Sequence, residues 1–207
     1  MAAWLLEAES LLAQGYAHGA VERLPMPAMD TLDAAQRAAA QALIDGPRKG
    51  VYGPFLPLLR SPALLERVAS LGEYLRFHSV LDARIREFAT CVAARHVSNQ
   101  FEWVMHSPLA VKAGVSREAI DALRQGATPR GLAADEQDAF DFAQELLNRN
   151  GVCDVTYQAA CARFGEQGVV ELTTLLGYFV MVSWLMNIAR TPAQAGATGP
   201  GIDAFPF

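Results

Sequence analysis

Residues 86–114, REFATCVAARHVSNQFEWVMHSPLAVKAG, decide the fold of this chain. Glu87 lies in the first half of this stretch, and Glu102 and His106 are four residues apart in the second half, a spacing that shares one face of a helix. A turn near Ser98 separates the two halves. The stretch therefore predicts two antiparallel helices that bring Glu87 close to Glu102 and His106.

Helical periodicity continues on both sides of this hairpin, and alternating runs of β-branched residues are nearly absent, so we predict an all-α fold. The expected helices cover about residues 31–44, 63–77, 82–97, 99–113, 116–125, 134–148, 156–164 and 166–189. Four prolines and three glycines between Gly46 and Pro62 predict a loop instead of a long helix. The apolar side chains of that loop are expected to contact the core or line a pocket.

The length of 207 residues fits a single domain. We expect a helical core over residues 46–192. A helical extension over residues 1–45, with a first helix at Trp4–Gln14, precedes it. An extended arm over residues 193–207 follows it.

Composition and charge restrict the class of protein. Hydrophobic residues make up 52% and charged residues 19%, which excludes a disordered chain. The 17 basic and 22 acidic residues give a net charge of −5 without a basic cluster, so nucleic acid is not an expected partner. None of the three cysteines forms a C-x-x-C pair, and the first residues contain no basic signal-peptide leader. We therefore expect a reducing, cytoplasmic location.

The segment Leu172–Ala189 contains 18 residues without a charge, which is the lower limit for a membrane span. Thr173, Ser183 and Asn187 are polar, and there is no second span. A buried helix of a bundle or a subunit interface is therefore favoured over a membrane helix. This segment predicts a homo-oligomer, as a dimer, trimer or hexamer, and no membrane partner.

The predicted hairpin brings together two carboxylates, a thiol and an imidazole, from Glu87, Glu102, Cys91 and His106. Burial and a neighbouring carboxylate adjust a histidine or glutamate for proton transfer near neutral pH. The two carboxylates and the imidazole would alternatively suit a divalent metal ion with open coordination positions.

These residues also have purely structural interpretations. Glu87 could form an ion pair with Arg95 or Arg84 on the helix surface. Glu102 stands three residues after Asn99 and could simply complete a capping box. On spacing alone, His106 is more often a structural histidine than a ligand or a base.

Several short motifs occur in a fixed order along the chain. They are GPF at 53–55, RSP at 60–62, RE at 86–87, ARH at 94–96, FEWVMH at 101–106, KAGVS at 112–116 and VELTTLLGYFVMV at 170–182. In this order, and with His106 placed 19 residues after Glu87, they resemble the carboxymuconolactone decarboxylase family, which is related to alkylhydroperoxidase D. The resemblance covers about residues 46–192.

This resemblance implies an all-helical bundle that associates into trimers or hexamers. It also implies proton-handling roles for Glu87 and His106 in the catabolism of aromatic compounds. The peroxidase branch of the family carries a C-x-x-C motif ending four residues before the histidine, and here those positions are Asn99 and Glu102. A disulfide-cycling peroxidase needs two sulfurs within bonding distance, so we do not expect that activity.

The resulting hypothesis is a lyase without a cofactor that acts on a small organic acid or lactone. His106 would be the acid or base, oriented by Glu87 or Glu102, and would protonate the carbon that loses carbon dioxide. The substrate-binding residues would be Arg95, Arg86 or His96 for the carboxylate and Trp103, Phe55 and Tyr52 for the apolar part. A metal enzyme that uses Glu87, Glu102 and His106 and a non-catalytic small-ligand-binding oligomer are the alternative hypotheses.

Overall fold

The computed structural model describes residues 21–193 and 201–202, and this part of the chain contains helices and no strands. A 3-10 turn at Met29–Thr31 precedes α1 (Ala34–Asp45), α2 (Phe55–Leu58), α3 (Pro62–Phe77), α4 (Ala83–His96), α5 (Gln100–Ala113), α6 (Arg117–Arg124), α7 (Ala134–Arg149) and α8 (Asp154–Ala189). The all-α prediction is confirmed. The helix expected at residues 4–14 and most of the expected C-terminal arm lie outside the described residues.

The ends of the helices follow the local sequence signals. Asp33 begins α1 with a capping box, in which its carboxylate accepts a hydrogen bond from the Gln36 backbone N–H at 2.8 Å. Gly114 ends α5 in a left-handed conformation with φ of 111°, and Asn150 ends α7 with φ of 62°. Each helix predicted within the described residues lies within about three residues of its expected position.

The loop between α1 and α3 is packed against the core. It contains the single turn α2, and Phe55, Leu58 and Leu59 within it are buried. Arg60 donates hydrogen bonds to the carbonyl of Leu24 at 3.2 Å and to that of Pro25 at 2.6 Å. The loop therefore also fixes the chain segment that precedes α1.

Helix α4 is the centre of the bundle. It packs against α5, α6, α7 and α8. All eight side chains from Phe88 to Arg95 are buried, because neighbouring helices surround α4 on every side.

Helix α8 packs against α2, α3, α4, α5 and α7, but unlike α4 it leaves one face exposed. Gly165, with φ of 72° and ψ of 169°, divides α8 into the two helices that the sequence predicts. By length and composition α8 could cross a membrane, but 56% of its most apolar window is buried within the bundle. Its outer face exposes Val170, Trp184 and Ile188.

Candidate active site

The turn between α4 and α5 is held by polar side chains. Ser98 adopts a left-handed conformation with φ of 52°, and the Asn99 side chain accepts a hydrogen bond from the Glu102 backbone N–H at 2.9 Å, which caps α5. The Asn99 amide also donates to the Asn187 side-chain oxygen of α8 at 2.8 Å. The two helices therefore run antiparallel, in the predicted hairpin.

This hairpin brings Glu87, Glu102 and His106 together. The Nδ1 atom of His106 lies 2.6 Å from Oε2 of Glu87, and its Nε2 atom lies 3.3 Å from Oε2 of Glu102. His106 and Glu102 are only 5% and 4% exposed. The Phe179 ring packs edge-on against the imidazole, with 5.0 Å between ring centroids. The imidazole is thus fixed between two carboxylates in a largely apolar environment.

The two carboxylates determine the charge of His106. Burial disfavours the imidazolium and lowers its pKa, but the hydrogen bonds to Glu102 and Glu87 outweigh burial and raise the pKa to about 9. The imidazole is therefore protonated at neutral pH, and both ring N–H groups donate to carboxylates. In this state His106 can give up a proton and cannot accept one.

Glu102 and His106 face a cavity of about 90 Å³. The other residues of the cavity wall are Arg48, Tyr52, Pro54, Phe55, Arg76, Phe101, Met105, Leu109, Tyr178 and Phe179. Glu87 is not part of this wall and bonds His106 on the ring nitrogen opposite the one that Glu102 contacts. A cavity of this size is smaller than the roughly 150 Å³ that admits benzene, so the present conformation accommodates only a few heavy atoms.

Arg48 connects the cavity to a larger groove of about 450 Å³ between α1 and α3, because its side chain lines both. One Nη atom donates to the Ala69 carbonyl at 2.9 Å, and the guanidinium lies 4.8 Å from the centroid of the Phe55 ring. The other Nη atom is 3.6 Å from the half-exposed Glu73 carboxylate. Movement of Arg48 would join the two spaces.

Arg76 and Tyr178 complete the charged part of the wall. The close approach of Tyr178 to α3 requires a glycine, since a Cβ at Gly72 would lie 2.1 Å from the Tyr178 hydroxyl oxygen. Burial and the nearby Glu102 carboxylate raise the pKa of Tyr178 to about 12, although Arg48 and Arg76 act to lower it. The hydroxyl therefore stays protonated and can donate a hydrogen bond into the cavity.

Two of the predicted substrate-binding residues, Tyr52 and Phe55, do line the cavity. Tyr52 is oriented by a hydrogen bond from its hydroxyl to the Arg48 carbonyl at 2.9 Å. The loop that carries both residues therefore forms part of a pocket, as the sequence predicts.

The two arginines expected to hold a carboxylate do not reach the cavity. Arg95 is buried and donates to the Leu123 carbonyl at 3.0 Å, and Arg86 donates to the Leu81 carbonyl. Although Arg95 shares a face with Glu87, eight residues of helix separate them by about 12 Å along the axis.

His96 and Trp103 also lie outside the cavity wall. His96 is exposed at the end of α4, and Trp103 is fully buried in the hydrophobic core. Trp103 precedes His106 by three residues, but its direction on α5 is toward the core. The apolar wall is instead made by residues such as Phe101 and Phe179.

The ion-pair interpretation of Glu87 is not found. Its carboxylate bonds His106, whereas Arg84 pairs with Asp135 at 2.5 Å and with Glu136 at 2.6 Å and so connects α4 to α7.

The capping-box interpretation of Glu102 is not found either. The Asn99 backbone N–H donates to the Ala94 carbonyl at 2.9 Å, so the Glu102 carboxylate is directed to His106.

In the alternative hypothesis, Glu87, Glu102 and His106 would be the ligands of a divalent metal ion, and in this structure the two ring nitrogens of His106 lie 2.6 and 3.3 Å from carboxylate oxygens. Among the described residues, no group of three or more histidine, cysteine and acidic side chains could hold a metal.

The cysteines do not form a dithiol site. Cys91 is fully buried, and burial together with the Glu87 charge raises the pKa of its thiol well above the ordinary range. Cys153, the N-cap residue of α8, and Cys161, in the first part of that helix, are also free thiols. At the two positions where the peroxidase branch carries cysteines, Asn99 caps α5 and Glu102 contacts His106.

Residues 62–145 match the sequence model of the carboxymuconolactone decarboxylase family. The matched segment runs from α3 into α7 and contains Glu87, Glu102 and His106. No curated protein matches the chain.

Solved structures share the fold. An uncharacterized peroxidase-related protein from Silicibacter sp. TM1040 is 14% identical and has a TM-score of 0.70, over 86% of this chain and 94% of that one. An alkylhydroperoxidase AhpD core protein from Ralstonia eutropha JMP134 is 16% identical with a TM-score of 0.66, over 85% of this chain and 100% of that one. A variant of the debrominase Bmp8 in complex with 2,3,4-tribromopyrrole is 11% identical with a TM-score of 0.64, over 86% and 94% of the two chains. At these identities the comparison establishes an alkylhydroperoxidase D-like fold.

Proposed function

We propose that this chain is a member of the carboxymuconolactone decarboxylase family, whose sequence model matches residues 62–145, and that it is a lyase without a cofactor that acts on a small organic acid or lactone. The observation that carries this proposal is the imidazolium of His106, held between Glu87 and Glu102 at the wall of a cavity. The imidazolium is buried, is charged at neutral pH and lies next to the Glu102 carboxylate, which faces the cavity. It can therefore supply a proton to a bound molecule.

Glu87, Glu102 and His106, called the triad from here on, have separate roles in this proposal. Glu87 accepts the hydrogen bond from Nδ1 and holds the ring in position. His106 stores the proton, and Glu102, which shares it at Nε2 and faces the cavity, delivers it to the substrate.

The reaction proceeds in two balanced steps. The bond between carbon and the carboxylate breaks, carbon dioxide leaves, and the electron pair of that bond moves into the adjacent carbonyl to give an enolate. The Glu102–His106 unit then forms the new carbon–hydrogen bond and regains a proton from solvent. Tyr178, whose hydroxyl stays protonated, would donate a hydrogen bond to the enolate oxygen.

Two further observations support this reading over disulfide-cycling peroxidase chemistry. The buried thiol of Cys91 is held neutral, and Asn99 and Glu102 have structural and charge roles at the positions of the missing motif. The fold-related debrominase is in complex with a small halogenated ring, which supports a small molecule as the substrate.

The test is release of carbon dioxide from carboxymuconolactone and from smaller oxo acids and lactone acids, with and without a metal chelator. We expect carbon dioxide from at least one of these acids at a rate that the chelator does not change. Loss of activity on chelation would favour the metal-dependent alternative. Binding of the acids without any release would favour the non-catalytic ligand-binding alternative.

We also propose that the chain forms a homo-oligomer through the outer face of α8. Val170, Trp184 and Ile188 expose 63%, 59% and 61% of their surface there, and the helix carries no charged residue from Leu172 to Ala189. We also propose that the protein is cytoplasmic, because its three cysteines form no C-x-x-C pair, and that it does not bind nucleic acid, because its net charge is −5 and no basic cluster occurs. Light scattering should give a mass above 22.4 kDa for the wild type and a smaller mass for Trp184→Glu; a monomeric wild type would contradict this proposal.

A further inference from the structure

Arg76 is the cation of the cavity wall that lacks an acidic partner among the described residues. His106 is matched by Glu102 and Glu87, and Arg48 has Glu73 at 3.6 Å. Arg76 only stacks on the neighbouring Phe77 ring, and its Nε atom is buried without a hydrogen-bond partner. A buried guanidinium N–H without an acceptor is costly, so this group is arranged for an acceptor that lies outside the described residues, such as a bound anion.

Further donors lie beside Arg76. A Cβ at Gly72 would be 2.1 Å from the Tyr178 hydroxyl oxygen and 3.3 Å from Nη2 of Arg48, so these two groups meet at one point of the cavity wall. The Tyr178 hydroxyl has no hydrogen-bond partner within the described part of the chain, and Arg48 and Arg76 both act on it electrostatically. Guanidinium and hydroxyl donors are thus gathered on the wall that also contains Glu102 and His106.

We propose that Arg76 and Tyr178, with Arg48 beside them, form a subsite that binds one carboxylate group of the substrate. The subsite rests on the proposed function, because it supplies the small acid with a fixed position relative to Glu102 and His106. It replaces the binding role that the sequence assigns to Arg95 and Arg86.

The chemistry of the wall favours a carboxylate over other ligands. A guanidinium offers parallel N–H donors that match the two oxygens of a carboxylate. The positive charge of Arg76, which has no acidic partner among the described residues, suits a ligand with one negative charge. The cavity volume of about 90 Å³ admits an anion of a few heavy atoms. The Glu102 carboxylate on the same wall would repel a ligand that carries more charge.

The experiment measures binding of acetate and of its neutral analogue acetamide by saturation-transfer NMR at pH 7 and constant ionic strength. We expect acetate to bind at least tenfold more tightly than acetamide. Arg76→Gln should reduce acetate affinity at least tenfold, Arg76→Lys should reduce it less because it keeps the charge, and Tyr178→Phe should reduce it a few-fold. Arg117→Gln, which changes an exposed arginine on α6, is the matched control and should bind acetate like the wild type.

Equal affinity for acetate and acetamide would overturn the subsite, as would full acetate affinity in a folded Arg76→Gln protein. Displacement of acetate by an equal concentration of chloride would overturn its specificity for carboxylates. Because binding is measured without turnover, the two proposals can fail separately. If the protein prefers acetate to acetamide but releases carbon dioxide from none of the acids, the lyase proposal is wrong and the subsite proposal stands. If it releases carbon dioxide but does not prefer acetate, the subsite proposal is wrong and the lyase proposal stands.

Discussion

The charge of His106 depends on its two carboxylate partners, and removing them one at a time should move its pKa through a predictable series. In the wild type the pKa is about 9, against 6.5 for an ordinary histidine, which corresponds to about 3 kcal/mol in favour of the imidazolium. A hydrogen bond to a charged group contributes roughly 1.5–3 kcal/mol. Glu87→Gln, which removes the partner at 2.6 Å, should therefore lower the pKa of His106 to between about 7 and about 8.

The double variant Glu87→Gln/Glu102→Gln should shift the pKa of His106 below its ordinary value instead of above it. Burial acts to lower the pKa of His106, and in the wild type only the two carboxylates outweigh it. With both carboxylates replaced, burial is unopposed, and the pKa should fall below 6.5.

The assay is NMR titration of the imidazole resonances, with His106 assigned by comparison with His106→Asn. The raised pKa also stabilises the fold, in full below pH 6.5 and with loss as the pH rises through about 9. Urea unfolding between pH 6 and 10 should show that loss in the wild type and much less of it in the double variant. A wild-type pKa of His106 near 6.5, or one that Glu87→Gln leaves unchanged, would show that the two carboxylates do not set the charge of the imidazole.

Three other substitutions test the fold around the site. Glu171→Gln should lower the free energy of unfolding by about 2 kcal/mol, because burial of the native carboxylate is outweighed by several hydrogen bonds that lower its pKa to about 2. In urea titrations, the difference in unfolding free energy between wild type and variant should be complete above pH 4.5 and disappear as the pH falls through about 2. Gly72→Ala places a Cβ 2.1 Å from a tyrosine hydroxyl of the carboxylate subsite, so in thermal melts it should cost about 1–3 kcal/mol of stability, and it should also weaken acetate binding. Gln100→Ala removes two buried hydrogen bonds to the backbone of Ile202, of 2.9 and 2.7 Å, so hydrogen exchange at Ile202 should become at least tenfold faster; unchanged exchange would show that these bonds do not hold the segment.

The all-α fold and the triad could be predicted because the signals for both are local. Apolar periodicity and the turn residues Ser98 and Gly114 define the hairpin, and the spacing between Glu87 and His106 then follows from its geometry. Pocket lining by Tyr52 and Phe55 follows from a proline-rich loop whose apolar side chains have to be buried.

The cationic part of the site could not be predicted because it is assembled from distant segments. Arg48 comes from the loop after α1, Arg76 from the end of α3, and Tyr178 from α8. Two sequence features could have indicated part of this site: Arg48 lies in the pocket-lining loop, and Tyr178 is a polar residue within an apolar helix. No local pattern indicates Arg76. The spacing of residues along α4 favoured Arg95 as a substrate-binding residue, but α4 places Arg95 about 12 Å from Glu87 along its axis.

In the proposed reaction, Glu102 and His106 act as one proton-transferring unit on a small acid. The most direct test is the kcat of Glu102→Gln, His106→Asn and the double variant with carboxymuconolactone, or with whichever acid the wild type decarboxylates, against Glu118→Gln, an exposed glutamate on α6. We expect a loss of at least about 100-fold for each single variant, no further loss in the double variant, and wild-type rates for Glu118→Gln. A folded Glu102→Gln or His106→Asn protein that keeps its rate within about threefold of wild type would contradict this expectation.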